Sequence, residues 1–241
     1  MNIKLEFSYD GSRFNGSQKQ PQKNTVADAF LECFNSMGID SQLVFSGRTD
    51  KDVHATRQVA NIKLPSYWTD TQKLFNRLKQ YLPQSIQLHS LNICDDDFNA
   101  RFSAKKRVYR YIISQKYLTA FEAAYMTYYE PIIDEKLIKN GIKQFIGTHD
   151  FEYFSKKGSE PVSTTRIIYD TKFYKYKDFY IFKFKANSFL RSQIRMMVQA
   201  LFDLNEQKIT LIDLNDQINK KGLKSKTLAP PNGLYLTKII Y

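Results

Sequence analysis

The sequence predicts an α+β protein made of two ferredoxin-like halves whose antiparallel sheets flank a central basic cleft. Three observations carry that expectation. Apolar residues in the first 94 positions alternate between strand and helix spacing in the order strand, helix, strand, strand, helix, strand, the split β–α–β arrangement. A comparable alternation recurs after Ala104. The formal net charge is +12 over 241 residues, which points to a polyanionic partner, and a cleft between two halves is a natural place for one. The expected division is 1–104, carrying the loop richest in chemistry, and 105–241, completing the cleft. No sequence repeat relates the halves, so the symmetry is one of topology.

Taken in order, Ile3, Leu5 and Phe7 alternate as a half-buried strand closed by Tyr9-Asp10-Gly11-Ser12. Thr25 reads as an N-cap for a helix with Val26, Ala27, Phe30, Leu31 and Phe34 on one face. Val44-Phe45 and Val59, Ile62 and Leu64 mark two strands. Thr69 or Asp70 caps a second helix with Leu74, Leu78 and Leu82 at i, i+4 spacing. Ile86, Leu88 and Leu91 suggest another strand, and Asp95-Asp96-Asp97 a solvated acidic turn.

In the second half, Lys105-Lys106-Arg107-Val108-Tyr109-Arg110-Tyr111 reads as a strand. Period 2 puts Arg107, Tyr109 and Tyr111 on one face and Lys106, Val108 and Arg110 on the other. Either this is an ordinary strand with Tyr in the core, or its cations meet phosphates beside a stacking ring. A helix follows Asp134 and ends at Gly147. Thr148 to Phe151 and Lys156-Lys157-Gly158 read as one long basic loop. Arg166 to Tyr176 and Phe179 to Lys185 form a hairpin turning at Lys177-Asp178. Asn187 or Ser188 is expected to cap a helix carrying Phe189, Ile194, Met197, Val198 and Leu201. A short helix after Thr210 and a strand over Gly233 to Tyr241 complete the chain.

The Lys excess has two readings, an AT-rich coding bias or a nucleic-acid partner. Cys33 and Cys94 are too few for a zinc cluster, and Cys33 falls on an apolar helix face. The N-terminus alternates like a strand and has no signal-peptide core, and no apolar run approaches membrane-spanning length. A cytoplasmic protein with no membrane partner is expected.

The densest chemistry is FSGRTDKDVHAT, Phe45 to Thr56. Gly47, Arg48, Thr49, Asp50, Asp52 and His54 lie within eight positions between two strands, so a sheet aims the loop. From local residues alone, Asp50 either caps a turn and pairs with Arg48 or is a catalytic carboxylate, and His54 is a candidate base beside it. There is no GxxxxGK[ST] loop and no GxGxxG. No HxE with a CxxC partner and no Gly-x-Ser-x-Gly turn is present either. ATP-driven, dinucleotide, zinc-deaminase and serine-hydrolase chemistry are therefore disfavoured.

Gly47-Arg48-Thr49-Asp50 followed by Val53-His54-Ala55 resembles the GRTDxxVHA signature of the tRNA pseudouridine synthase A family. Further motifs of that family are matched by Tyr9-Asp10-Gly11 with Phe14 and Gly16-Ser17-Gln18, and by FNARFSAKKRVYRY from Phe98. GTHDF from Gly147, ANSFLRSQIRMMV from Ala186 and APPNGLYL from Ala229 continue the series. The resemblance spans essentially the whole chain, in order.

What the resemblance implies is isomerisation of uridine to pseudouridine in the tRNA anticodon stem-loop, at positions 38, 39 and 40, with neither cofactor nor metal. It makes Asp50 the essential carboxylate, acting as nucleophile at C1′ or as base at C2′. Tyr109 matches the Tyr that packs on the extruded base, Arg195 the basic residue that pairs with the Asp, and Arg48 a positioning residue for the flipped nucleotide. Lys105, Lys106, Arg107 and Arg110 are the expected RNA-backbone contacts, and a homodimer is implied. Base extrusion is a physical requirement, because C1′ and C5 must separate and rotate in a closed pocket. The chain departs from the family at Lys51-Asp52, usually Ala-Gly, at Ser17, where an aromatic is frequent, and at Ser192-Gln193, usually a pair containing His. The competing reading is a non-catalytic RNA chaperone on the same scaffold, which would not need both Asp50 and Arg195.

Overall fold

The computed structural model describes residues 1–158 and 162–241. It is a mixed α/β protein with mostly antiparallel pairing and five α-helices among the described residues. The chain forms two compact units: Met1–Lys105 joined by Tyr235–Tyr241, and Lys106–Leu234. The last strand thus returns to the first unit. No helix among the described residues is long and apolar enough to cross a membrane.

The first unit runs β1 (Asn2–Tyr9), α1 (Val26–Ser36), β2 (Val44–Phe45), β3 (His54–Lys63), α2 (Thr71–Tyr81) and β4 (Ile86–Cys94). Its strands lie in the order β4-β1-β3, with β2 pairing β3. Ile3, Leu5, Phe7 and Tyr9 alternate into the core as the period requires. Phe7 packs on Phe30 of α1, ring centroids 4.7 Å apart. Burying each such side chain contributes about 1.5–3 kcal/mol.

α1 starts where Thr25 and Asp28 form a capping box. Asp70 caps α2 by accepting from the Lys73 N–H at 2.8 Å. β4 holds a surprise for a period-2 reading. Leu91 is out of phase with Leu88, yet Leu91 pairs with Leu5 and Leu88 with Phe7. The extra residue, His89, is absorbed in a bulge. Cys33 is buried and unbridged as expected, and burial pushes its thiol pKa up.

The second unit runs β5 (Lys106–Ser114), β6 (Thr127–Tyr128), α3 (Glu135–Lys143), β7 (Gly147–Asp150), β8 (Thr165–Tyr176), β9 (Phe179–Ala186), α4 (Gln193–Asn205) and α5 (Leu211–Ile218). Its strand order is β5-β9-β8-β7, with β6 parallel to β5. Tyr111 and Phe182 on the sheet meet Phe202 of α4, with centroids 6.2 and 6.0 Å away. The final strand, β10 (Leu234–Ile240), pairs in parallel with β3 through Tyr235–His54 and Leu236–Ala55.

Two expectations are corrected here. α4 does not begin at Asn187 or Ser188 but at Gln193, after Ser192 in the left-handed region at φ 57°. Asn187 is taken elsewhere: its side-chain oxygen accepts from the N–H groups of Ile167 and Ser188. Phe189 therefore sits on a loop, and Gln193 folds back to accept from the Leu190 N–H at 2.8 Å. Nor is the segment from Thr148 a plain loop. Gly147–Asp150 is a strand on β8, and Glu152–Phe154 is a single 3₁₀ turn. Four residues are too few for alternation to register in a sequence. Ser159 to Pro161, beyond the Lys156-Lys157-Gly158 stretch, lie outside the described residues.

Candidate active site

The loop between β2 and β3 is held from below by buried polar groups. Thr49 is the pivot. Its N–H donates to the Ser17 hydroxyl at 2.9 Å, and its carbonyl accepts from the Ser17 N–H at 3.2 Å. Its own hydroxyl shares a 2.8 Å hydrogen bond with Tyr9. One residue pair upstream, Gln58 donates to the Gly47 carbonyl at 3.0 Å and accepts from the Ser46 hydroxyl at 2.9 Å. Ser17 and Gln58 are both fully buried, so each bond is shielded from competing water. Burial pushes the Tyr9 hydroxyl up to about 12, its bonds to Thr49 and Gln58 pulling the other way.

The segment after β1 lies directly on this loop. A side chain at Gly11 would place its Cβ 2.1 Å from the Val53 carbonyl oxygen. Gly16, at φ +96°, passes within 2.9 Å of the Thr49 carbonyl by the same construction. Only glycine fits either approach. His54 is buried here. Its Nδ1 accepts from the Gly11 N–H at 3.0 Å, with Asp10 3.4 Å away, and its ring stacks on Tyr235 at 4.7 Å. A backbone N–H can only donate, so these contacts make His54 a strut between β1, β3 and β10.

On that base, Asp50 is half-buried and Arg48 exposed. The Val53 N–H bonds the Asp50 carbonyl at 3.3 Å and closes the turn. Asp52 takes φ 64°, the left-handed conformation expected of a residue standing where Gly is usual.

In the second unit, Tyr109 is buried on the same face of β5 as Tyr111 and meets Phe189 edge-on at 5.3 Å. Arg195 lies in the first turn of α4. Its Nε donates to the Ala229 carbonyl at 2.7 Å, and the Ala229 N–H returns a bond to the Arg195 carbonyl at 3.1 Å. One nitrogen of the guanidinium is thereby fixed, which sets the plane of the rest. Burial pushes the Tyr111 hydroxyl pKa upward, opposed by its bond to Thr127 and by the charge of Arg195. Lys105 and Arg110 are exposed and Lys106 is half-buried. Arg107 is buried and donates to the Asn187 carbonyl at 2.8 Å, so it braces the loop before α4. The structure thus groups Asp50 with Arg48 in one unit, and Tyr109 with Arg195 in the other.

Among known proteins, a family model described as tRNA pseudouridine synthase matches residues 142–241. The chain is 41% identical over 241 residues to tRNA pseudouridine synthase A of Campylobacter jejuni subsp. jejuni serotype O:6, covering all of both chains. It belongs to the tRNA pseudouridine synthase A family. It is also 38% identical over 233 residues to the Wolinella succinogenes protein of that name, covering 97% of this chain and 92% of the relative. With the Helicobacter pylori (strain P12) protein it shares 37% identity over 244 residues, 99% of each chain.

The departures from the family's usual pattern now have structural roles in this pseudouridine synthase. Ser17, in a position where an aromatic is frequent, grips Thr49 from both sides. Asp52 keeps the positive φ that Gly would allow. Gln193 bonds Leu190 and reaches the Met197 sulfur at 3.7 Å, all inside its own unit. Ser17, Tyr9 and Gln58 escaped sequence reasoning as site residues. Gln58 left a trace, a polar residue beside the apolar run from Val59. Ser17 stood out only as a departure from the family motif; its bond to Thr49 left no trace, because the partner is 32 residues away.

Proposed function

We propose that this protein isomerises uridine to pseudouridine in the tRNA anticodon stem-loop, at positions 38, 39 and 40. The observation that carries the reading is whole-length identity of 41% with a tRNA pseudouridine synthase A. The braced loop bearing Asp50 supports it.

The reaction breaks the N1–C1′ bond, turns the uracil and joins C5 to C1′. C5 gives up a proton and N1 gains one, so no electrons are exchanged with a second reactant. Asp50 acts either by attacking C1′ and being displaced by C5, or by removing the C2′ proton. Deuterium at C2′ separates these routes: only the second gives a primary isotope effect. Tyr109 packs on the extruded base, Arg195 pairs with Asp50, and Arg48 positions the flipped nucleotide and its phosphate. Lys105, Lys106 and Arg110 contact the RNA backbone, while Arg107 serves them by holding Asn187.

The finer reading of the fold belongs with this proposal: two ferredoxin-like halves whose basic cleft receives the stem-loop. The order β4-β1-β3, with β2 on β3, supports it for the first half. A homodimer would give a tRNA arm more surface than one small chain offers, and the cytoplasm is where such an enzyme would meet its substrate.

The test is incubation of a mixed tRNA pool with purified protein alone, followed by carbodiimide-adduct primer extension. New stops at positions 38, 39 and 40 are expected. Bound but unmodified tRNA would favour a chaperone instead.

A further inference from the structure

We infer that Gln217, a buried residue of α5, is a positioning residue for Arg195: through the segment 224–229 it sets the plane of the Arg195 guanidinium. The inference deepens the reading of Arg195 as a site residue and rests on it.

Arg195 depends on a segment that cannot hold itself. Its Nε donates to the Ala229 carbonyl at 2.7 Å, so the place of that carbonyl decides how the rigid guanidinium fork is aimed. Ala229 ends a stretch, 222–229, that is neither helix nor strand. Backbone without a ladder of its own is held by other partners. Ser225 and Ala229 are the two buried residues of the stretch, and both are tied to α4. The Ser225 hydroxyl donates to Asp203 Oδ2 at 2.6 Å, and the Ala229 N–H donates to the Arg195 carbonyl at 3.1 Å. The lengths match. From Arg195 to Asp203 the helix rises about 12 Å, and the chain from Ser225 to Ala229 reaches about 13 Å when extended. The segment therefore runs antiparallel along α4 near its full reach. A shift at Ser225 passes on to Ala229 instead of being taken up by slack.

Gln217 fixes the Ser225 end. Its Nε2 donates to the Ser225 carbonyl at 3.0 Å and to the Tyr153 carbonyl at 3.1 Å. Its Oε1 accepts from the N–H groups of Ser225 at 2.7 Å and Lys224 at 2.9 Å. Both donors and both lone pairs of the amide are thus used, and two carbonyls against two N–H groups fix which way round it sits. Tyr153 belongs to the 3₁₀ turn Glu152–Phe154, so one fully buried amide joins α5, that turn and the segment. Away from water such a network is rigid as long as every member is satisfied. Asp203 is held in its turn, its other oxygen accepting from Gln199 at 2.9 Å. The path from Gln217 through Ser225 and Ala229 to Arg195 stays within the second unit.

The test is a set of double-mutant cycles on the full-length enzyme, read as kcat and KM for pseudouridine formation in tRNA beside the melting temperature. Gln217→Glu keeps the size of the side chain but turns a bare oxygen on the Tyr153 and Ser225 carbonyls. Ser225→Ala removes the tie to Asp203 and keeps the backbone groups that Gln217 binds, so it carries the test if Gln217→Glu fails to fold. Values of kcat should fall about tenfold in Gln217→Glu and about threefold in Ser225→Ala, with KM within about twofold of the parent. Arg195→Lys keeps the charge and loses the fork that Ala229 holds. In that slower background neither change should lower kcat by more than about twofold further. Thr210→Ala removes the cap at the far end of α5, where the Asp213 N–H bonds the Thr210 hydroxyl. It should lower the melting temperature and leave kcat at the parental value. Equal losses in both backgrounds, a change in KM alone, or a matching loss of kcat in Thr210→Ala would make Gln217 purely structural and overturn the inference. The two readings fail differently. Parental kcat in Arg195→Lys sinks the role of Arg195, and this inference with it. A slow Arg195→Lys beside unaffected Gln217→Glu and Ser225→Ala sinks this inference alone.

Discussion

Ser17 and Thr49 hold each other twice, hydroxyl to N–H at 2.9 Å and N–H to carbonyl at 3.2 Å. The residue after Thr49 is Asp50, so the clamp sets the backbone from which the carboxylate proposed as catalytic projects. Ser17→Ala removes one bond and leaves the buried Thr49 N–H without an acceptor, a cost of about 1–3 kcal/mol. If part of that strain is relieved by shifting Asp50, kcat should fall about tenfold while tRNA affinity is unchanged. Equal kcat with a lowered melting temperature would reduce Ser17 to a purely structural role.

Asp52 holds φ 64° in the turn that closes on Asp50. The left-handed region costs a residue with a Cβ about 1 kcal/mol or more, and glycine almost nothing. Asp52→Gly should therefore raise the melting temperature by about 2–4 °C, and Asp52→Val should lower it. Thermal unfolding of the pair checks this, and a lower melting temperature for the Gly variant would contradict it.

Tyr9 predicts an alkaline limit. Its hydroxyl is pushed from 10.0 to about 12 by burial. Below pH 10 both folded and unfolded states keep the proton, and stability does not depend on it. Between 10 and about 12 only the unfolded state releases it, so the stabilisation is lost as pH rises, by about 1.4 kcal/mol per unit. Tyr111 and Tyr129 are shifted the same way, mainly by burial. Denaturant midpoints at pH 9 and pH 11 should fall less in Tyr9→Phe than in the parent, and identical falls would be evidence against the assignment.

These cases also show what a sequence reveals. The helix starts at Thr25 and Asp134, and at Asp70 as one of two candidates beside Thr69, were legible because a cap and its partner lie three residues apart. The loop at Asp50 was legible because its chemistry is contiguous. The clamp beneath it was not, since Tyr9, Ser17 and Gln58 converge only through folding. The start of α4 was misplaced for a related reason: Asn187 looks like a cap until β8 claims its side chain. The return of β10 to the first unit is invisible to periodicity, which sees strands but not their partners. Arg107 reads as one more cation on a basic strand, and only its burial separates it from Arg110.

Tyr109 is buried and braced edge-on by Phe189. Tyr109→Leu should reduce pseudouridine formation about a hundredfold, because it removes the ring proposed to pack on the turned base. Tyr109→Phe preserves that ring and should retain part of the activity. Single-turnover rates on tRNA distinguish the two, and a fully active Leu variant would remove Tyr109 from the base pocket.

The central claim is that Asp50 performs the chemistry. The direct measurement is pseudouridine formation and tRNA affinity side by side in Asp50→Asn, which keeps the side chain's size and removes its charge. The account predicts no detectable pseudouridine and a dissociation constant close to that of the parent. Turnover near the parental rate would contradict it.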